Sequence, residues 1–147
     1  MWPTLRVEFE IEVGRAIEEV FAYLTDLSKL AEWDPRVVSV ELETDLPMSV
    51  GTRMRETRSL LGRTVEQLVE VSEHEPPRLF SLRILDGPVP LYGRNVLEPI
   101  DAGTRIKFLG EGELRGAAKL LQPLMRVAVE RQLRRHYERL RENLESR

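Results

Sequence analysis

The chain has 147 residues, of which 41% are hydrophobic and 32% are charged, and it contains no cysteine. This length is typical of one domain, which buries roughly 70% of the surface that its unfolded chain exposes. A chain without cysteine has no disulfides, thiol nucleophiles or cysteine metal ligands. The net charge of −3, with both signs mixed along the chain, argues against nucleic acid as a partner.

The sequence shows neither a targeting segment nor a membrane span. Charged residues lie near its start, where a signal peptide needs an apolar run, and no stretch approaches the ~20 apolar residues of a transmembrane helix. We therefore expect a cytoplasmic protein. No linker, internal repeat or low-complexity tract interrupts the chain, so we expect a single domain over residues 1–147.

The first predicted elements are a strand and two short helices. Apolar and charged residues alternate over residues 5–13, which is the period of a strand with one buried face. Apolar residues then recur every three or four positions over residues 16–24, which predicts a helix. Asp26 can cap a second short helix, and Pro35 ends it because the residue before a proline is disfavoured in helical geometry.

Six further strands are predicted before the last helix. Their residues alternate between apolar and polar, and turn-forming Gly, Pro and Asp residues separate most of them. Strands joined in sequence by short turns pair in an antiparallel meander. The predicted strands after the first lie at residues 38–42, 51–60, 64–72, 79–85, 91–99 and 104–113.

The last predicted element is a long helix over about residues 117–145. Its apolar residues recur at steps of three and four, which places them on one helix face. Pro123 removes a hydrogen bond early in this segment, so either the helix begins there or a preceding turn from about Gly116 is kinked, and we expect the kink. The first half of the helix is apolar nearly all round, so we expect it to be buried on more than one side.

This order of elements predicts an α+β fold with an internal cavity. One helix cannot cover a whole face of a seven-stranded sheet, so a curved sheet leaves space between itself and the helix. Such a cavity indicates a small-molecule ligand, and ligand cavities occupy roughly 300–1,000 Å³. We expect no metal or cofactor, because His74 lies in an acidic turn and His136 among arginines, and both are expected at the surface.

The predicted ligand site follows from strand parity. If Met54 faces inward, Glu56 and Arg58 lie on the same face of their strand. Burying two charges costs free energy unless they are paired, so they either bond each other or meet a polar group of a ligand. There are two alternatives. Glu56 and Arg58 form a structural ion pair near the open end of the sheet, or the register of the strand places Arg53 and Arg55 inward instead. Other predicted lining residues of the sheet are Gln67, Val69, Asn95 and Phe108.

Three further residues complete the predicted site. Trp33 comes at the end of the short helices, where it either stacks on a ligand or packs as a lid. Leu121 and Met125 lie on the apolar stripe in the first half of the last helix, and we expect both to line the cavity. The sequence identifies no catalytic residue.

With these residues placed, the chain resembles the SRPBCC superfamily, which includes START domains, Bet v 1-like proteins and polyketide cyclase/dehydrase-like proteins. The resemblance spans about residues 5–145 and is carried by Val20-Phe21, Asp26, Trp33-Asp34-Pro35, Val50-Gly51-Thr52, Glu75-Pro76-Pro77-Arg78, Gly103-Thr104 and Leu140 to Glu145. It implies a helix-grip fold, in which a curved seven-stranded antiparallel sheet wraps a long C-terminal helix around an apolar cavity. Members bind lipids, sterols and polyketides, and a minority are enzymes.

Three functions are open at this point. The first is binding of a small hydrophobic or aromatic molecule, such as a lipid or polyketide, oriented by a few polar groups. The second resembles the polyketide aromatases/cyclases, with Glu56 or Arg58 assisting proton transfer or polarising a carbonyl. The third is a protein-interaction module that presents the arginine-rich face of the last helix to an acidic partner.

Overall fold

The computed structural model describes residues 4–60, 62–87, 91–114 and 116–147. Within these ranges, seven strands form one antiparallel sheet in the order β1-β7-β6-β5-β4-β3-β2. The strands are β1 Thr4–Val13, β2 Val37–Leu42, β3 Arg53–Leu60, β4 Arg63–Glu75, β5 Leu79–Asp86, β6 Leu91–Ile100 and β7 Gly103–Glu113. The predicted α+β fold with a seven-stranded antiparallel sheet is confirmed.

The first strand shows why the alternation predicts its burial. Leu5, Val7, Phe9, Ile11 and Val13 are all buried on the inner face, the face that packs against the helices. The charged residues between them are exposed. In register with β7, Phe9 lies opposite Phe108 and their rings stack with centroids 5.1 Å apart. Pairing with β7 places the first strand of the chain beside the last.

The link between β6 and β7 depends on one glycine. Gly103 has a φ of +143°, a conformation that side chains with a Cβ rarely adopt. A Cβ at this position would overlap the Val13 carbonyl oxygen and crowd the Arg15 amide. The backbone of β7 therefore approaches the end of β1 at a distance that only glycine permits.

Two short helices follow β1 and cross the inner face. Helix α1 spans Ile17–Thr25, and after the 3₁₀ turn Leu27–Lys29 helix α2 spans Leu30–Trp33. The Asp26 carboxylate accepts a hydrogen bond from the Ser28 amide at 3.0 Å, so it caps this turn as the sequence predicts. The chain leaves helical geometry at Asp34, before Pro35.

The C-terminal helix α3 spans Gln122–Glu145, and a 3₁₀ helix at Gly116–Leu121 precedes it. Its second half buries Tyr137, Leu140 and Leu144 against the sheet and the short helices. The α-helix begins at Gln122 with Pro123 in its first turn, where a missing amide hydrogen costs nothing. The expected start near residue 117 is therefore wrong by about one turn, and the segment from Gly116 is 3₁₀ rather than α.

The predicted burial of the first half of α3 is also wrong. Leu120 is 85% exposed, Leu124 is 70% exposed and Val127 is 47% exposed. The apolar stripe meets the core only from Val129 and Leu133 onward. The apolar composition of a helix indicates how much free energy its burial would provide, but it does not show that a neighbouring element is present to bury it. None of the helices in the described ranges is long and apolar enough to span a bilayer.

Candidate functional site

A cavity of about 180 Å³ lies between the inner face of the sheet and α3. Strands β1 and β3 to β7 form its walls, and α3 covers it with Val129 and Leu133. Most of these walls are aliphatic or aromatic carbon. The apolar lining residues are Leu5, Val7, Val69, Leu82, Ile84, Leu91, Phe108, Val129 and Leu133.

A second, smaller cavity of about 50 Å³ lies under the short helices. It shares Glu56 and Leu82 with the main cavity, so the two spaces are neighbours. Its other lining residues are Leu24, Asp26, Leu27, Leu30, Trp33, Met54, Phe80, Asn95 and Tyr137. Both volumes are below the roughly 300 Å³ expected from ligand cavities in general.

One polar cluster interrupts the apolar lining, and we call its four members, Asp34, Glu56, Arg58 and Gln67, the Arg58 cluster. Arg58 Nη2 donates to Asp34 Oδ2 at 2.8 Å and to Oδ1 at 3.1 Å. Arg58 Nη1 donates to Glu56 Oε1 at 2.9 Å, and Gln67 Nε2 donates to the same oxygen at 3.2 Å. The cluster joins the end of α2 to β3 and β4.

Local structure explains how these side chains meet. Glu56 and Arg58 are two residues apart on β3 and so share its inner face. Gln67 is the register partner of Glu56 on β4. Asp34 reaches the cluster because it directly follows α2, and Val37, three residues later at the start of β2, is the register partner of Arg58 on β3. The inner positions follow from strand parity, whereas the Asp34 contact depends on the placement of the short helices.

Charge in the cluster is stabilised by pairing. Glu56 is 4% exposed, and the Arg58 side chain is 23% exposed. Burial alone would lower the pKa of Arg58, but the nearby carboxylates of Asp34 and Glu56 raise it above its ordinary value. The guanidinium therefore remains charged, and two carboxylates share it.

His136 lies behind this cluster, so the expectation that it is a surface histidine is wrong. It is 7% exposed, and its Nδ1 lies 3.6 Å from Asp34 Oδ1. Burial lowers the pKa of His136; the Asp34 carboxylate opposes this, while Arg58, Arg36 and Arg139 act in the same direction as burial. Charged neighbours in the sequence hide this position because they lie on the opposite face of α3.

Tyr137 and Asn95 form the polar contact of the smaller cavity. The Tyr137 hydroxyl donates to Asn95 Oδ1 at 2.5 Å, and Asn95 Nδ2 donates to the Phe80 carbonyl at 3.2 Å. Burial raises the pKa of Tyr137 well above its usual value, so its hydroxyl stays protonated. The Trp33 ring packs against Tyr137 with centroids 5.5 Å apart. Both polar groups thus bond within the protein.

The structure brings together eight of the ten predicted site residues. Glu56, Arg58, Gln67, Val69 and Phe108 line the main cavity. Trp33, Met54 and Asn95 line the smaller one, which Glu56 also reaches. Arg53 points outward, so the alternative register of β3 is not the one observed. Their role in ligand binding stays a prediction.

The other two predicted residues, Leu121 and Met125, line neither cavity. Leu121 is 52% exposed and belongs to the 3₁₀ helix before α3. Val129 and Leu133 take the expected place, two turns further along the same stripe. The periodicity of the stripe could have identified them, but it gave no sign of where the sheet begins to cover the helix.

The sequence did not identify Asp34 and His136 as site residues either. Asp34 directly follows Trp33, which was predicted, but the 24-residue separation from Arg58 hides their contact. In the described part of the chain, no three His, Asp or Glu side chains are grouped so that they could hold a metal ion.

A sheet of this topology, packed against a long C-terminal helix with a half-open cavity between them, defines a Bet v 1-like helix-grip protein. The chain belongs to the family described as "Polyketide cyclase / dehydrase and lipid transport", whose model matches residues 4–146. No curated protein matches the sequence.

Solved structures share the fold at low sequence identity. The Zhui aromatase/cyclase from Streptomyces sp. R1128 is 19% identical with a TM-score of 0.76, covering 97% of this chain and 94% of its own. Ara h 8.0201 is 16% identical with a TM-score of 0.78, covering 99% and 100%. A protein from Thermus thermophilus is 26% identical with a TM-score of 0.68, covering 94% and 97%. These similarities support the fold assignment.

Proposed function

We propose that this protein binds a small, mainly apolar or aromatic molecule in the cavity between the sheet and α3. The observation that carries the proposal is an apolar cavity with one buried polar cluster in its wall. Ligand sites commonly combine apolar walls, which supply binding free energy, with a few polar groups, which fix orientation. The family description, which includes lipid transport, supports the same interpretation.

The volume of the cavity limits the size of the ligand. An engineered apolar cavity of roughly 150 Å³ is large enough for benzene. The main cavity, at about 180 Å³, therefore suits a molecule of one or two rings or a short acyl chain. The smaller cavity beyond Glu56 offers room for a substituent.

Two matched variants of α3 test the proposal. Leu133 lines the main cavity, so Leu133→Trp fills it, whereas Leu124 is 70% exposed and Leu124→Trp leaves it open. We expect the neutral two-ring probe 1-aminonaphthalene to fluoresce with the unmodified protein and with Leu124→Trp, and at least tenfold less with Leu133→Trp. Circular dichroism verifies that both variants fold. Absence of probe uptake by the unmodified protein would contradict the proposal.

Mass spectrometry of the native protein, purified from its own host, complements the probe assay. A co-purified molecule bound by the unmodified protein and lost from Leu133→Trp would reveal the chemical class of the ligand. The same mass bound equally by both proteins would place the ligand outside the cavity.

A cyclase is the second candidate, and the pairing of Arg58 with Glu56 beside the cavity favours it. A charged guanidinium in an apolar site can polarise a ligand carbonyl, and a carboxylate can accept a proton from the adjacent carbon. Incubation with a poly-β-ketone thioester would distinguish the two functions. Cyclised products that disappear in Glu56→Gln favour the enzyme, whereas recovery of only spontaneous products favours binding alone. A polyketide synthase gene beside this one would also favour the enzyme.

A further inference from the structure

We propose that the ligand presents an uncharged hydroxyl group, rather than a carboxylate, to the Arg58 cluster. The inference rests on the proposed binding function and concerns the polar end of the same ligand. It follows from the balance of charge, and of hydrogen-bond donors and acceptors, around the main cavity.

The first argument is the charge balance of the lining. Charged lining residues in the described part of the chain are Glu56, Arg58 and Glu111, which amount to two carboxylates and one guanidinium. Asp34 adds a third carboxylate directly behind Arg58. Arg6 lies 3.8 Å from Glu111 and offsets its charge, so the imbalance is that of the Arg58 cluster itself, with two carboxylates for one guanidinium. The arginine that a ligand carboxylate would seek is thus already neutralised, and a further anion would meet negative charge there.

The second argument is the surplus of acceptors. Glu56 Oε1 accepts from both Arg58 and Gln67, while Glu56 Oε2 has no hydrogen bond within the described residues. Gln67 uses its amide nitrogen for Glu56, and its Oε1 likewise has no donor there. Glu56 is 4% exposed and Gln67 is 9% exposed. Neither of these two oxygens is fully buried, so both acceptors are open to the cavity, and a ligand that displaces water from them without supplying a donor leaves them unpaired.

A hydroxyl group satisfies this arrangement better than the other simple polar groups. It can donate to Glu56 Oε2 or Gln67 Oε1, and its oxygen can accept from an N–H of Arg58 that remains free. A carboxylate has no proton to donate, and a purely apolar ligand leaves both acceptors unpaired. A phenol or an alcohol on a small ring system therefore fits both the charge balance and the size of the cavity.

Three ligands of matched shape test the inference at pH 7.5. They are 2-naphthol, 2-naphthoate and 2-methylnaphthalene, and isothermal titration calorimetry measures the affinity of each. We expect 2-naphthol to bind at least tenfold more tightly than 2-naphthoate and several-fold more tightly than 2-methylnaphthalene. In Glu56→Gln, which removes a negative charge, the preference for 2-naphthol over 2-naphthoate is expected to fall at least threefold.

The possible outcomes distinguish a failure of this inference from a failure of the proposed binding function. Tighter or equal binding of 2-naphthoate to the unmodified protein would overturn the hydroxyl assignment and leave the binding function intact. Failure of the probe and all three ligands to bind would overturn both. If Glu56→Gln does not fold, the affinity ratio in the unmodified protein still decides the question. Glu111→Gln, at a half-exposed carboxylate paired with Arg6, is the matched control and is expected to change the ratio less than Glu56→Gln does.

Discussion

At the scale of single residues, Arg58 holds together charges that would otherwise repel each other. Its guanidinium bonds Asp34 from the short helices and Glu56 from its own strand. Removing one partner of a buried ion pair leaves an uncompensated charge, which costs more than the pair itself contributes. The cluster therefore links the placement of α2 to the electrostatics of the cavity.

We predict that Arg58→Met lowers the free energy of unfolding by about 3 kcal/mol at pH 7.5, because two carboxylates then lose their cation. Arg53→Met is the matched control on the same strand. The Arg53 side chain is 50% exposed and pairs with Glu70 at 2.9 Å, so its loss costs less than about 1 kcal/mol. Urea unfolding measures both values. Similar costs for the two variants would show that the Arg58 cluster is energetically an ordinary surface pair.

His136 gives the protein a predictable response to acid. Burial lowers the pKa of His136 from its ordinary value of 6.5, so the unfolded chain takes up the proton first as pH falls. The resulting stability is fully present above about pH 6.5 and is lost as pH falls toward the lower folded pKa. We expect the free energy of unfolding to fall less between pH 7.5 and 5.5 in His136→Gln than in the unmodified protein. Parallel pH curves would contradict this assignment.

At the scale of elements, α3 contains two halves with different surroundings. Leu140 is fully buried against the sheet, whereas Leu124 is 70% exposed, although both belong to the apolar residues of one helix. We predict that Leu140→Ala lowers the free energy of unfolding by about 3 kcal/mol. Leu124→Ala is expected to change it by less than about 0.5 kcal/mol. Chemical denaturation decides between this picture and a uniformly buried helix, in which both substitutions would be costly.

The same contrast shows what the sequence can predict about an element. In β1 the alternation of apolar and charged residues is a local property, and over residues 5–13 it identified the buried positions correctly. In α3 the stripe identified the inward direction, which Tyr137 and Leu140 confirm. It could not predict that Leu121 lies beyond the covering sheet, because the extent of a neighbouring surface is a property of the tertiary fold.

At the scale of the whole molecule, only part of the site could be predicted from the sequence, because some of its features are local and others depend on the tertiary fold. Strand parity depends on the backbone alone, so the inward positions of Glu56, Arg58 and Gln67 follow once the strands are known. The contact from Asp34 and the burial of His136 arise between elements that are distant in the chain. The residues next to Asp34 and His136 in the sequence indicate neither this contact nor this burial, and the charged residues around His136 indicate a surface position instead.

We expect a bound ligand to stabilise the folded state of the whole molecule, because the cavity is lined by both the sheet and α3. A molecule that binds only the folded state stabilises it by an amount set by its concentration relative to Kd, which is about 2.7 kcal/mol at a hundredfold excess over Kd. For a domain of this size, that corresponds to a rise in Tm on the order of 5–10 °C. We predict this shift for 2-naphthol with the unmodified protein and with Leu124→Trp. In Leu133→Trp the indole occupies the space that the ligand needs, so Tm should not respond to 2-naphthol. An equal shift in Leu133→Trp would mean that the stabilising molecule binds elsewhere, and the cavity beneath α3 would no longer explain the stabilisation.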